Sequence, residues 1–157
     1  MSEARPLSLD DVARRIDGMI AMSDEALLAA ACERADELLA LGEAILERWV
    51  ISRGETPACG TVEGFRLLAL HRQGACGDAS FNACRETCRE LVYRHNVVRL
   101  DPAHADAARR LRLGAMVARH LMLFIGGKLE VAGLGEFCCS ARPLRRGEAS
   151  RQPAETV

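Results

Sequence analysis

From Leu28 to Trp49 the chain repeats apolar residues at spacings of three and four: Leu28, Cys32, Ala35, Leu39, Gly42, Leu46 and Trp49. Leu27, Ala31, Leu38 and Ile45 widen that stripe, while Glu33, Arg34, Asp36, Glu37, Glu43, Glu47 and Arg48 fill the other side. Only an α-helix gathers residues at those spacings onto one face, so the stretch predicts a long amphipathic helix with Trp49 in the core. Ser23, Asp24 and Glu25 offer a cap and first-turn acids for its start. Gly54, Pro57 and Gly60 place its end near Arg53.

The same signals recur along the chain. Ser8 with Asp10 and Asp11 predicts a short helix running to about Ala21. Thr61 and Glu63 open a third helical segment, which carries Val62, Phe65, Leu68 and Leu70 to about Gln73 before Gly74 and Gly77 interrupt it. Asp78 or Ser80 can cap the next helix, on which Phe81, Cys84, Cys88, Leu91, Val92 and His95 share a face. Asp101 and Pro102 read as a cap and a first helical residue, which predicts a last helix from Ala103 to about Gly126, with a resumption from Lys128 to Val131. Alternating strand patterns and fixed-period repeats are absent from the sequence. The expected fold is therefore all-α, an antiparallel bundle of four to five helices over residues 1–141. Residues 142–157, rich in Pro, Gly, Arg, Glu, Ser and Gln, offer little to bury and are expected to be a disordered tail.

Composition narrows the function classes. A formal net charge of -1 gives no global field toward nucleic acid or an anionic membrane, and aromatic residues at 4% leave little for base stacking despite the cluster of Arg109, Arg110 and Arg112. No nucleic-acid partner is expected. The most apolar stretch, Leu113 to Gly127, is broken by Arg119 and His120 and is shorter than the roughly 18 residues of a membrane span. The charged amino terminus lacks the apolar centre of a secretory signal, so a cytoplasmic location is expected. A single lysine, Lys128, among many arginines suits a GC-rich bacterial genome.

Seven cysteines stand out in a chain read as cytoplasmic, because reduced thiols fill apolar space, bind soft metals or react with oxidants. Cys84 and Cys88, four apart on one helix, present both sulfurs to one side, and Cys76 from the preceding turn could add a third ligand. Cys138 or Cys139 could complete a four-ligand site for zinc or an iron-sulfur cluster. No C-x-x-C pair strengthens that reading. The simpler account is packing, since Cys84 and Cys88 share their face with Phe81, Leu91 and Val92, and Cys32 lies in the long stripe. A Cys84–Cys88 disulfide is disfavoured by nearly parallel bonds to Cβ on successive turns. A bridge between Cys138 and Cys139, with α-carbons about 3.8 Å apart, would be strained and easily reduced, the chemistry of a redox switch; packing of Phe137 and Cys138 on the bundle is the alternative.

Conventional enzyme signatures are lacking: there is no G-x-S-x-G, G-x-G-x-x-G, Walker loop or H-E-x-x-H, and no catalytic residue is assigned. Cys76 and His71 could form a nucleophile pair across a turn. Glu43 and Glu47 are expected on the solvated side, and His120 is expected to be partly buried and hydrogen-bonded. The last helix is apolar on more than one face, which makes it the centre of the bundle or a docking surface. The expected function is that of a non-enzymatic cytoplasmic bundle acting in a regulatory or accessory role through a protein partner or a homo-oligomer. The alternative is a thiol protein that binds zinc or an iron-sulfur cluster, or senses oxidants, through Cys76, Cys84, Cys88, Cys138 and Cys139.

Overall fold

A computed structural model describes residues 5–133 and places six α-helices there. Cys138, Cys139, Phe137 and residues 142–157, expected as thiol site, packing contact and tail, lie outside the described residues. Helix α1 (Leu9–Ala21) begins with a capping box: Asp11 N–H donates to Ser8 Oγ at 3.1 Å, and Ser8 N–H donates to the Asp11 carboxylate at 3.3 Å. Val12, Ile16 and Met19 face inward from it.

The expected long helix is two helices. Helix α2 (Asp24–Ala29), capped by Ser23, ends at Ala30, whose φ of -143° and ψ of 50° leave the helical region, and α3 (Ala31–Ser52) then starts on a new axis. The break changes the stripe. Leu27 is buried but Leu28 is 43% exposed, and the buried line in α3 runs through Ala31, Ala35, Leu38, Ile45 and Trp49. Alanine has no sequence signal for such a break, because its helix propensity is the highest of all residues.

The segment before α4 (Arg66–Ala75) is also shorter in helix than its caps suggested. Val62 and Phe65 exchange backbone hydrogen bonds of 3.0 and 2.9 Å across a tight turn whose central residues, Glu63 and Gly64, both have positive φ. That geometry excludes a helix until Arg66. The preceding loop is tied to α4 by Gln73, which accepts from Ala58 N–H and donates to Thr56 O, each at 2.8 Å. Arg66 donates to Ala58 O and reaches Glu43 and Glu47 at 3.1 and 3.4 Å. The two glutamates are therefore half-buried anchors for α4, and the expected solvated pair is corrected by the arginine that crosses to meet them.

A 3₁₀ segment (Ala79–Cys84), started by Asp78, leads into α5 (Arg85–Leu100). Residues 101–106 form turns, with His104 N–H bonded to Asp101 O and Ala107 N–H to His104 O, so α6 (Ala107–Val131) begins four residues later than the Asp101-Pro102 signal implied. It then continues unbroken through Gly126 and Gly127. Helix α6 packs on α1, α2, α3 and α5 and is the centre of the bundle, with Leu111, Ala115, Ala118, Leu121 and Ile125 fully buried. His120, expected to be partly buried, is exposed because it lies on the face of α6 turned away from those contacts. Where α3 and α6 come closest, a Cβ on Gly114 would stand 2.5 Å from Leu38 Cδ1. No helix among the described residues is long and apolar enough to cross a membrane.

Candidate thiol site

The buried face of α4 carries Leu67, Leu68 and Leu70 and then a histidine, His71, which is 8% exposed. It is the only buried polar or charged side chain among the described residues. A buried imidazole requires a partner. His71 finds the main-chain carbonyl of Phe81 at 2.9 Å from Nε2. A carbonyl only accepts, so Nε2 carries the proton in this arrangement. The 3₁₀ segment is what turns that carbonyl inward. Phe81 itself is fully buried, with its ring 5.6 Å from Trp49, 5.8 Å from His71 and 6.0 Å from Phe124 between centroids.

The carbonyl of Phe81 also accepts from Cys84 Sγ at 3.4 Å. Cys84 is the N-cap of α5 and is buried, and Cys88 lies one turn along the helix with no exposure. Thus Cys84 and His71 meet at one backbone oxygen, and Cys88 reaches the site through the Cys84 sulfur. The thiol of Cys88 donates to Cys84 sulfur, and this bond, joined by the His71 imidazole, pulls the Cys84 thiol down to about 6 from an ordinary 9.0 although burial opposes it. Cys88 moves the other way: its proton is held by the bond to Cys84 and by burial, so its pKa is pushed up. Burial would lower the pKa of His71, but the hydrogen bonds to Cys84 and to the Phe81 carbonyl outweigh it and the pKa is raised. One thiol of the pair is prepared to ionise beside a base able to hold a proton, and the other is prepared to donate.

The packing expected of Cys84 and Cys88 is present, and the pair has these polar contacts in addition. Cys32 is only partly buried at the edge of the stripe. Cys76 is exposed in the turn after α4. His71 was paired with Cys76 on sequence proximity, yet its sulfur partner is Cys84, thirteen residues away, because the 3₁₀ segment folds back over α4. Among the described residues no group of three His, Cys, Asp or Glu side chains is placed to hold a metal ion, so Cys76 does not join Cys84 and Cys88 in a ligand set. The pairing of His71 with Cys84 is what sequence reasoning missed. The place of His71 on the apolar face of α4, three and four residues after Leu68 and Leu67, is the signal that could have found it.

Comparison with protein-family models, with curated proteins and with solved structures finds no match to this chain.

Proposed function

We propose that the protein is a thiol-based oxidant sensor in which Cys84 is the reactive sulfur. The observation that carries this reading is the convergence of the Cys88 thiol and the His71 imidazole on a sulfur that burial alone would keep protonated and inert. Because Cys84 is 2% exposed, the oxidant it admits must be small, which favours a hydroperoxide. The thiolate attacks one peroxide oxygen, an S–O bond forms and the O–O bond breaks. The departing oxygen takes the electron pair and a proton from His71, leaving as water or an alcohol. Cys84 becomes a sulfenic acid, whose new oxygen is an acceptor for the S–H of Cys88, the neighbour already bonded to that sulfur.

Ultraviolet thiolate absorbance followed against pH tests the first half of this reading, and labelling with a sulfenic-acid-specific nucleophile after peroxide tests the second. One thiol should titrate at about 6, vanish from the curve in Cys84→Ser, and move upward in Cys88→Ala, because the largest cause of its low value has been removed. If every thiol titrates in the ordinary range near 8.5, or peroxide modifies Cys84 no faster than exposed Cys59, the reading is wrong.

A second reading rests on α6. Met116 and Leu123 are seven residues apart on one face and 55% and 62% exposed, and Met116 shares a shallow groove of about 240 Å³ with Leu113, Val117 and His120. Such a strip suits self-association or a partner protein. Sedimentation of the native chain against Met116→Asp with Leu123→Asp is its test: a shift from oligomer to monomer supports it, and a native monomer removes self-association.

A further inference from the structure

Between α4 and the start of α5 lies a cavity of about 390 Å³, walled by Arg72, Arg85, Arg89, Asn82, His71 and Cys76. Its polar wall is cationic. Arg89 is paired with Glu63 at 2.7 Å, but Arg72 and Arg85 make no ion pair or side-chain hydrogen bond among the described residues, although both lie near enough to hold the Glu63 carboxyl below its ordinary value after the larger effect of Arg89. The helices do not explain both charges. Arg72, in the last turn of α4, complements that helix dipole, whereas Arg85 is the first residue of α5, the end where positive charge is unfavourable. Two unpaired guanidinium groups that converge on one cavity fit an anion, and guanidinium is the group best matched to a carboxylate. The volume suits a small organic molecule rather than a bare ion. The same wall carries an exposed thiol, Cys76.

We propose that this cavity binds a carboxylate-bearing low-molecular-weight thiol in its disulfide form and that Cys76 forms a mixed disulfide with it. Cys76 sulfur attacks one sulfur of the bound disulfide, a new S–S bond forms, and the old S–S bond breaks. The second half leaves as a thiolate with the electron pair and takes up the proton released by Cys76. Cys76 is oxidised and the reagent reduced by the same two electrons. The arginines hold the carboxylates and concentrate the reagent at the sulfur. This proposal goes beyond the oxidant chemistry of Cys84 and does not depend on it.

The full chain contains its own control, since Cys59 is also exposed but does not line the cavity. Oxidised glutathione, which carries carboxylates, and cystamine, which is cationic, are the two probes. Peptide mapping by mass spectrometry over time gives the rate at each cysteine. With oxidised glutathione Cys76 should react about tenfold or more faster than Cys59, the lower end of what a charged cleft gives, and the preference should fall with added salt. With cystamine that preference should disappear. Arg72→Ala with Arg85→Ala should remove the preference for the anionic probe at Cys76 and leave the Cys59 rate unchanged. Both arginines are exposed, so this variant is expected to fold; its far-UV circular dichroism checks that directly, and the salt dependence of the unaltered chain tests the proposal without any substitution. Equal rates at Cys76 and Cys59 with both probes, or a preference that survives loss of the arginines, would overturn it.

Discussion

The ammonium of Lys128 stands 5.0 Å from the centroid of the Trp49 ring, and its Nζ lies 2.8 Å from the Asp78 carboxylate. One side chain of α6 therefore joins the end of α3 to the cap of the 3₁₀ segment, and Lys128 also stands 5.2 Å from the Phe81 ring centroid. Trp49 is 5% exposed and its indole nitrogen has no hydrogen-bond partner, so its contribution is packing and the two cations over its ring, Lys128 and, at 5.5 Å, Arg53. Trp49→Ala should cost roughly 3 to 5 kcal/mol in chemical denaturation, the usual loss for a large buried aromatic. A loss below about 1 kcal/mol would be that of a surface residue and would place Trp49 outside the core.

Asp78 gives the fold an acid limit. Lys128 first, and Ser80 next, hold its carboxyl at about 2, below the ordinary 3.8. A lowered folded pKa means that the unfolded chain binds the proton more readily, so the contribution is complete above the unfolded value and is lost as pH falls through about 2. The stability advantage of the native chain over Asp78→Asn should be constant near neutrality and shrink across the interval from about pH 4 to about pH 2. Denaturation at several pH values checks it, and an advantage independent of pH would mean that the ion pair contributes nothing.

Two glycines in helix interiors should respond with opposite signs to the same change. Gly18 in α1 has nothing within 4 Å of a built Cβ, so Gly18→Ala should stabilise by about 1 kcal/mol through helix propensity alone. Gly114→Ala places a methyl against the fully buried Leu38, and overpacking costs typically about 1 to 3 kcal/mol, which exceeds the same propensity gain over most of that range. Midpoints of urea unfolding for the two variants should move in opposite directions from that of the native chain.

Thiol accessibility should divide the described cysteines. A bulky maleimide should modify Cys59 and Cys76 in the folded protein well before Cys84 and Cys88, with Cys32 between, and denaturant should erase the order. Rapid labelling of Cys88 in the folded chain would contradict its burial.

The helical class was legible in the sequence because apolar spacing and caps are local. Ser8, Ser23 and Asp78 cap as their side chains suggest, and Phe81, Cys84, Cys88 and Leu91 share a buried face as their spacing requires. The departures have tertiary causes. Nothing local distinguishes Ala30 from its alanine neighbours, yet the helix breaks there. Glu43 and Glu47 looked solvated because the arginine that meets them arrives from nineteen or more residues away. The thiol site was half legible: both of its cysteines were in view, and the histidine was given a neighbour in sequence instead of the sulfur that the 3₁₀ segment brings to it.

Trp49 is the single tryptophan of the chain, and its ring rests against that of Phe81, whose carbonyl serves both His71 and Cys84. Any chemistry at the Cys84 sulfur that shifts this carbonyl reaches the indole through one intervening ring. The molecule thus contains its own fluorophore one ring away from the thiol, and, if the proposed oxidation occurs, the colour and lifetime of that emission are where an unlabelled optical signal of it is expected.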